Sequence, residues 1–295
     1  MLDILYTVLI FSGLMVGFKL FARFGVDNLQ AISVNYLVAG VCGIIAMDGE
    51  FSFVEAATSS YFLPGIAIGV LFAIVFNAVA FGTQKIGISI TSVANKISLV
   101  IPVLGGILIF SEDSDFLIFT GIGLALVAIY LSTVSKGKLN FEKKYLWILL
   151  FIFLTQGAAD LIFLIAKYKW VSSEDSASYF AIIFLASGIL GLIAVLIKVI
   201  RGKTKVKFKN ILWGIIIGIP NYFTLHFFFS ALKNAPLESS QIYPLVNMGV
   251  IVFLAIIGVV LFKEKLSKTN WIGICLAIIA IGLIAFSKNI FALFG

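Results

Sequence analysis

Histidine occurs once in the 295 residues, cysteine twice and proline five times, and only 12% of the chain is charged. One histidine and two cysteines, Cys42 and Cys275, cannot assemble a usual structural zinc set. Neither cysteine has a partner at metal-ligand spacing, so no disulfide framework is suggested either, and both are expected to be packing residues. No G-x-x-x-x-G-K-[ST] loop occurs, which excludes that phosphate cradle for ATP and leaves a gradient as any driving force. No cofactor is expected. The shortage of charge also excludes a surface wetted by water on all sides: with 61% hydrophobic residues and a mean hydropathy of +1.15, the exterior must face hydrocarbon.

What is present is a series of apolar runs of about 20 residues, the length that crosses a hydrocarbon core roughly 30 Å thick. Ten are read, at 2–22, 29–47, 62–84, 88–110, 116–135, 145–167, 177–198, 210–232, 238–262 and 269–288. They are continuous and rich in Leu, Ile, Phe and Gly, where a β-barrel would show short segments of alternating polarity. The expected fold is all-α, a polytopic membrane protein with ten transmembrane helices and no soluble domain. The opening MLDILYTVLIF lacks the basic start and small-residue cleavage site of a signal peptide, so the first helix is expected to persist.

Lysine and arginine are spread unevenly between the two faces. Of 21, 16 lie at the ends of, or in the loops after, the first, third, fifth, seventh and ninth helices, 4 lie on the other face, and Lys96 is inside a helix. The basic face is expected to be cytoplasmic, which puts both termini outside, in a cytoplasmic (inner) membrane. The richest loop, RGKTKVKFKN at 201–210, reads as an orientation signal touching anionic lipid; no nucleic-acid partner is expected.

The chain repeats itself. GIGLALVAIYL at 121–131 aligns without a gap with GICLAIIAIGL at 273–283, identical at 7 of 11 positions. Carried backwards, the offset pairs Gly106 with Gly258, Glu112 with Glu264 and Asn95 with Asn247. Nearby offsets pair Gly65 and Gly69 with Gly214 and Gly218, Asn77 with His226, and Gly40 and Gly43 with Gly188 and Gly191. Two units are therefore expected, 1–140 and 141–295, each of five helices. An odd number of crossings inverts the second unit, a construction common in secondary transporters. The glycine pairs are expected to bring helix backbones close.

Several short motifs carry a resemblance that runs along the whole chain. They are Ser12-Gly13 and Lys19 in the first helix, Tyr243-Pro244 at the start of the ninth, and F-K-E-K-L-S at 262–267 before a glycine-rich tenth. In these the sequence resembles the drug/metabolite transporter superfamily, in its ten-helix EamA-type branch. The resemblance implies a permease for small polar or amphiphilic metabolites, with export of an amino acid or related solute as the first expectation. It also implies cytoplasmic termini, against the charge count. The first half has Phe-Ser-Glu-Asp at 110–113 where the second has Phe-Lys-Glu-Lys, and Tyr243-Pro244 has no clear partner there.

Inside the apolar runs, polar residues recur at helical spacing. Ser89, Ser92 and Lys96 share one face with Asn95 beside it, and Lys96 lies roughly 12 Å below the nearer interface, too deep for its stem to reach water. A charge at that depth costs about 3 kcal/mol on insertion scales, so it marks either a cavity or a packing hydrogen bond to backbone carbonyls. Gln156 with Asp160, and Tyr222 with His226, are four residues apart. One wet central cavity shared by both halves would satisfy them all. The expected substrate-binding set is Asn77, Asn95, Lys96, Tyr222, Gln241 and Asn247, with Asn77 facing His226 and Asn95 facing Asn247. Asp160 and His226 are expected either to couple transport to protons or, through an Asp160–Lys96 ion pair, to close a gate. The cation favours an anionic or carboxylate-bearing substrate.

Two other classes remain open on the residues alone. An intramembrane enzyme would need Ser187, in FLASG, activated by His226, the one histidine. A passive channel would show a ring of like charges or a filter sequence, and neither occurs. A non-enzymatic transporter alternating between two states is the reading carried forward. Its partners are a small-molecule substrate and the bilayer, and a monomer would suffice.

Overall fold

The structure, a computed structural model, describes residues 2–47, 51–110, 116–135, 138–139, 142–172, 175–234 and 239–294. Its helices are α1 (Leu2–Phe24), α2 (Asn28–Ile45), α3 (Phe53–Thr58), α4 (Phe62–Lys85), α5 (Ile88–Ile97), α6 (Val100–Phe110), α7 (Phe116–Thr133), α8 (Leu146–Lys169), α9 (Ser176–Ile200), α10 (Phe208–Asn234), α11 (Ser239–Val260) and α12 (Lys268–Phe294). A two-rung hairpin, Val134–Ser135 with Lys138–Leu139, follows α7. Seven described spans are long and apolar enough to cross a membrane, counting α5 with α6 as one; Phe116–Ser132, Leu245–Val260 and Lys268–Ile284 are shorter apolar helices. The chain is an all-helical, multi-pass membrane protein.

Local chemistry sets the helix starts. Asp27 accepts from the Gln30 amide and caps α2. Ser52 caps the short α3 in the same way. At α12, the Ser267 Oγ accepts from the Asn270 amide and the Asn270 Oδ1 accepts from the Ser267 amide, a reciprocal cap at 3.2 and 2.9 Å. Between α1 and α2, Gly25 takes φ +58°, the left-handed turn that only glycine adopts without strain.

The glycines singled out by the repeat sit where helices cross. A Cβ on Gly69 of α4 would stand 2.7 Å from the Ala186 Cβ of α9 and 2.9 Å from the Ile183 oxygen. Gly214 and Gly218 of α10 meet α2 the same way, at the Ala31 and Asn35 oxygens, at 2.7 and 2.8 Å. Gly40 abuts Leu185, Gly188 abuts Leu37 and Gly191 abuts Ser33, so α2 and α9 press together backbone to backbone. α7 and α12 interlock through Gly121 and Gly273. One large core lies among α1, α2, α4, α8 and α11, and a second binds α7 and α12 to α5 and α11.

Two expectations are corrected. The run 88–110 is not one helix: it breaks at Ser98–Leu99. The cause is Pro102, which has no N–H for the Ser98 carbonyl and whose ring crowds it, so the Ile101 amide turns back to Ser98 O at 2.9 Å in a tighter turn. The cysteines are not both packing residues: Cys42 is half-buried, but Cys275 is exposed on the outer face of α12.

Candidate polar site at the break in the α5–α6 span

α5 is short and almost wholly buried, and its last residues carry the chemistry. Asn95 is 4% exposed and its Nδ2 donates to the Gln156 Oε1 of α8 at 3.1 Å. The Gln156 Nε2 in turn donates to the Asp160 Oδ1, one turn further along α8, at 2.9 Å. A chain of three polar side chains thus links the end of α5 to the middle of α8. Each amide orients the next, so the carboxylate is held by a neutral donor.

Lys96 stands next to this chain. Its Nζ sits 3.7 Å from the centroid of the Phe11 ring of α1, an ammonium on the negative face of an aromatic. Asp160 is near enough for the two charges to act on one another. No contact ion pair joins them: among the described residues the ion pairs are Lys19–Glu264 and Lys144–Glu142. The gate expected from a closed Asp160–Lys96 pair is therefore absent from this conformation. One charge is held by a ring and the other by an amide.

The other expected site residues are placed as follows. Asn77 of α4 donates to its own helix, at the Ala73 oxygen, 2.8 Å away. Asn247 is half-buried on α11, which packs against α5. Tyr222 and His226 lie on one face of α10 among aromatic rings, with His226 exposed and 5.4 Å from the Phe227 ring. The side chain of Gln241 lies outside the described residues, as do those of Tyr243 and Pro244. The structure thus brings Asn95, Lys96 and Asp160 together and adds Gln156 and Phe11. Neither serine hydroxyl of the expected face is bonded to the Lys96 group: Ser92 donates to the Ser89 carbonyl, and Ser89 to Glu264.

Ser187 is fully buried in the α4–α9 crossing, with its Oγ 2.8 Å from both the Gly69 and the Ile183 oxygens. A hydroxyl spent on backbone carbonyls in a dry helix contact has no path to a substrate, so the serine-enzyme reading loses its nucleophile. At the end of the bundle away from the basic loops, a cleft of about 230 Å³ lies between Phe51, Tyr61, Ser178 and the carboxylate residues Glu55 and Asp175. It shares no residue with the Lys96 group.

Gln156 was visible in the sequence through its four-residue spacing from Asp160, to which it bonds; its bond to Asn95 on another helix was not. Phe11 carried no signal, being one of 29 phenylalanines. Glu264 was legible as part of a short motif and as the repeat partner of Glu112, without its role at the start of α5.

Comparison with known proteins places the second half of the chain. Residues 145–286 match the model of the EamA-like transporter family. An uncharacterized protein of Haemophilus influenzae is 24% identical over 299 residues, covering 98% of this chain and 99% of its own. A solved crystal structure superposes with a TM-score of 0.61 at 14% identity, over 96% of this chain and 94% of the other, a likeness of fold.

Proposed function

We propose that the chain, whose residues 145–286 match the EamA-like transporter family model, is a secondary transporter that binds a small carboxylate-bearing metabolite between Lys96 and Asp160. The observation that carries this is the separation of the two charges: an ammonium held over Phe11 and a carboxylate held by Gln156, close but not in contact. A zwitterion such as an amino acid satisfies both at once, its carboxylate on Lys96 and its ammonium on Asp160. Asn95, and Asn247 on the neighbouring α11, are assigned to the same lining. Gln241, Asn77 and Tyr222 complete the proposed lining. Export of an amino acid or related solute is the first choice.

Movement follows from two five-helix units, 1–140 and 141–295, inverted relative to one another. The contacts support this pairing. α10 packs on α2 as α4 packs on α9, α1 on α10 as α8 on α4, and α2–α9 and α7–α12 pair with themselves under the same exchange. Ten crossings result, with α5 and α6 as one. If the two units trade their slightly different shapes, access passes from one face to the other. The basic face is assigned to the cytoplasm and both termini to the outside of an inner membrane.

Proton coupling is assigned to Asp160, with His226 in a supporting place on α10. In proteoliposomes, Asp160→Asn should lose accumulation driven by a pH gradient while retaining counterflow of a plain carboxylate solute, and it should weaken counterflow of a zwitterion, whose ammonium it would hold. Retained accumulation would remove Asp160 from the coupling, and an absence of counterflow in the parent with any carboxylate metabolite would overturn the substrate assignment.

A further inference from the structure

A polar cluster at the basic end of the bundle surrounds Glu264, and the polar site at Lys96 makes no use of it. The Glu264 carboxylate takes four donors. Its Oε1 accepts from Lys19 Nζ of α1 at 2.8 Å and from the Ile88 amide at 2.7 Å. Its Oε2 accepts from the Ser89 Oγ at 2.8 Å and the Ser89 amide at 3.3 Å. Ile88 and Ser89 open α5, so the carboxylate sits on the first two amides of the helix whose other end carries Asn95 and Lys96. The negative charge is favourable there, since a helix start holds the positive end of the dipole.

The backbone is shaped to deliver this group. After α11 ends, Lys263 adopts φ +53°, a left-handed turn uncommon outside glycine, and the Glu264 amide folds back onto the Gly258 oxygen at 2.9 Å. Two glycines clear the space. A Cβ on Gly258 would lie 2.6 Å from the Glu264 Oε2, and one on Gly87, itself at φ +130°, 3.0 Å from its Oε1. Three segments far apart in sequence, the end of α1, the start of α5 and the turn after α11, are tied through one carboxylate.

We infer that Glu264 is the latch that closes the basic end of the bundle, holding the start of α5 against α1 and α11, while the break at Ser98 is the hinge about which that start can swing once released. α5 is then a short lever, 10 residues long, fixed at one end by the latch and hinged at the other beside Lys96. Opening the basic end requires the carboxylate to leave the Ile88 and Ser89 amides. The cluster closes the molecule as a shared cap, and the lysine is one of its four donors.

This inference takes its place in a transport cycle from the proposed function, but its test reads conformation without substrate. On a background with Cys42 and Cys275 replaced, Ser92→Cys, fully buried one turn beyond the latch, is labelled with an impermeant thiol reagent in sealed vesicles. Lys205→Cys in a parallel preparation identifies vesicles with the basic face outward. Glu264→Gln should raise the Ser92→Cys labelling rate at that face at least tenfold. Lys19→Met, which leaves the helix cap, should raise it less. Exchanging the charges, Lys19→Glu with Glu264→Lys, should not restore protection, because an ammonium cannot accept from the Ile88 amide. Labelling within twofold of the parent in Glu264→Gln would overturn the latch, and restored protection in the exchange would reduce it to a plain ion pair. Should Glu264→Gln fail to fold, Ser89→Ala removes one donor and should raise labelling a few-fold; no change there would equally overturn it. Lack of counterflow in the parent overturns the transport reading and leaves these outcomes as they stand.

Discussion

Replacing Lys96 by methionine separates a functional charge from a structural one, because the two give opposite signs in stability and transport. A lysine near the bilayer centre costs about 3 kcal/mol on insertion scales. Its contact with Phe11, 3.7 Å from the ring centroid, returns at most about 2 kcal/mol in a desolvated site. The balance, about 1 kcal/mol against folding, disappears in Lys96→Met, whose side chain is of similar length and apolar. The variant should therefore melt higher, by on the order of 2–4 °C for a chain of this size. Transport should move the other way. A charge-assisted bond to a substrate carboxylate contributes roughly 1.5–3 kcal/mol, which is a loss of about 10- to 150-fold in affinity. Counterflow over a range of substrate concentrations in proteoliposomes, with thermal unfolding of the same preparation in detergent, reads both. Phe11→Leu supplies the internal control: it should destabilise the parent by about 1–2 kcal/mol and have little effect in the methionine background, since the cation–ring contact is then already gone. Parental transport in Lys96→Met, or a lower melting point, would make the lysine a structural element and refute the charge argument.

Three further outcomes follow from the packing and the charge distribution. Ser187→Ala should leave transport intact and cost about 1 kcal/mol of stability, the worth of one buried hydroxyl bond, as read by thermal unfolding; abolished activity would restore the serine to a functional role. Gly69→Val should sharply reduce the yield of folded protein in a detergent fluorescence profile, because its Cβ alone would stand 2.7 Å from the Ala186 Cβ and 2.9 Å from a backbone oxygen; overpacking of this kind costs roughly 1–3 kcal/mol or more. Lys205→Cys, in a background without Cys42 and Cys275, should resist an impermeant thiol reagent in intact cells, while a cysteine at Ser60 should react; the reverse pattern would invert the topology.

Composition and period are local quantities, and they determined on their own that this chain is an all-helical membrane protein. Near 20-residue apolar runs admit no other way to satisfy their backbone in lipid. The recurring glycines were equally legible, since Gly65, Gly69, Gly214 and Gly218 must be small wherever helices touch, and the structure puts them at helix crossings. Pro102 was in plain view, yet a proline in a membrane helix can be absorbed by its neighbours; only the packed bundle shows the span broken at Ser98. The partners were out of reach for a different reason. Lys96 meets Phe11 and Asn95 meets Gln156 because α1 and α8 happen to lie beside α5, and no pattern along one helix encodes which neighbour it will have. Ser187, the serine that the enzyme alternative would have needed, became a packing hydroxyl once α9 lay on α4. Glu264 is the extreme case: a charged residue in a loop, ordinary in sequence, becomes the cap of a helix 176 residues away because a left-handed turn folds it into the bundle.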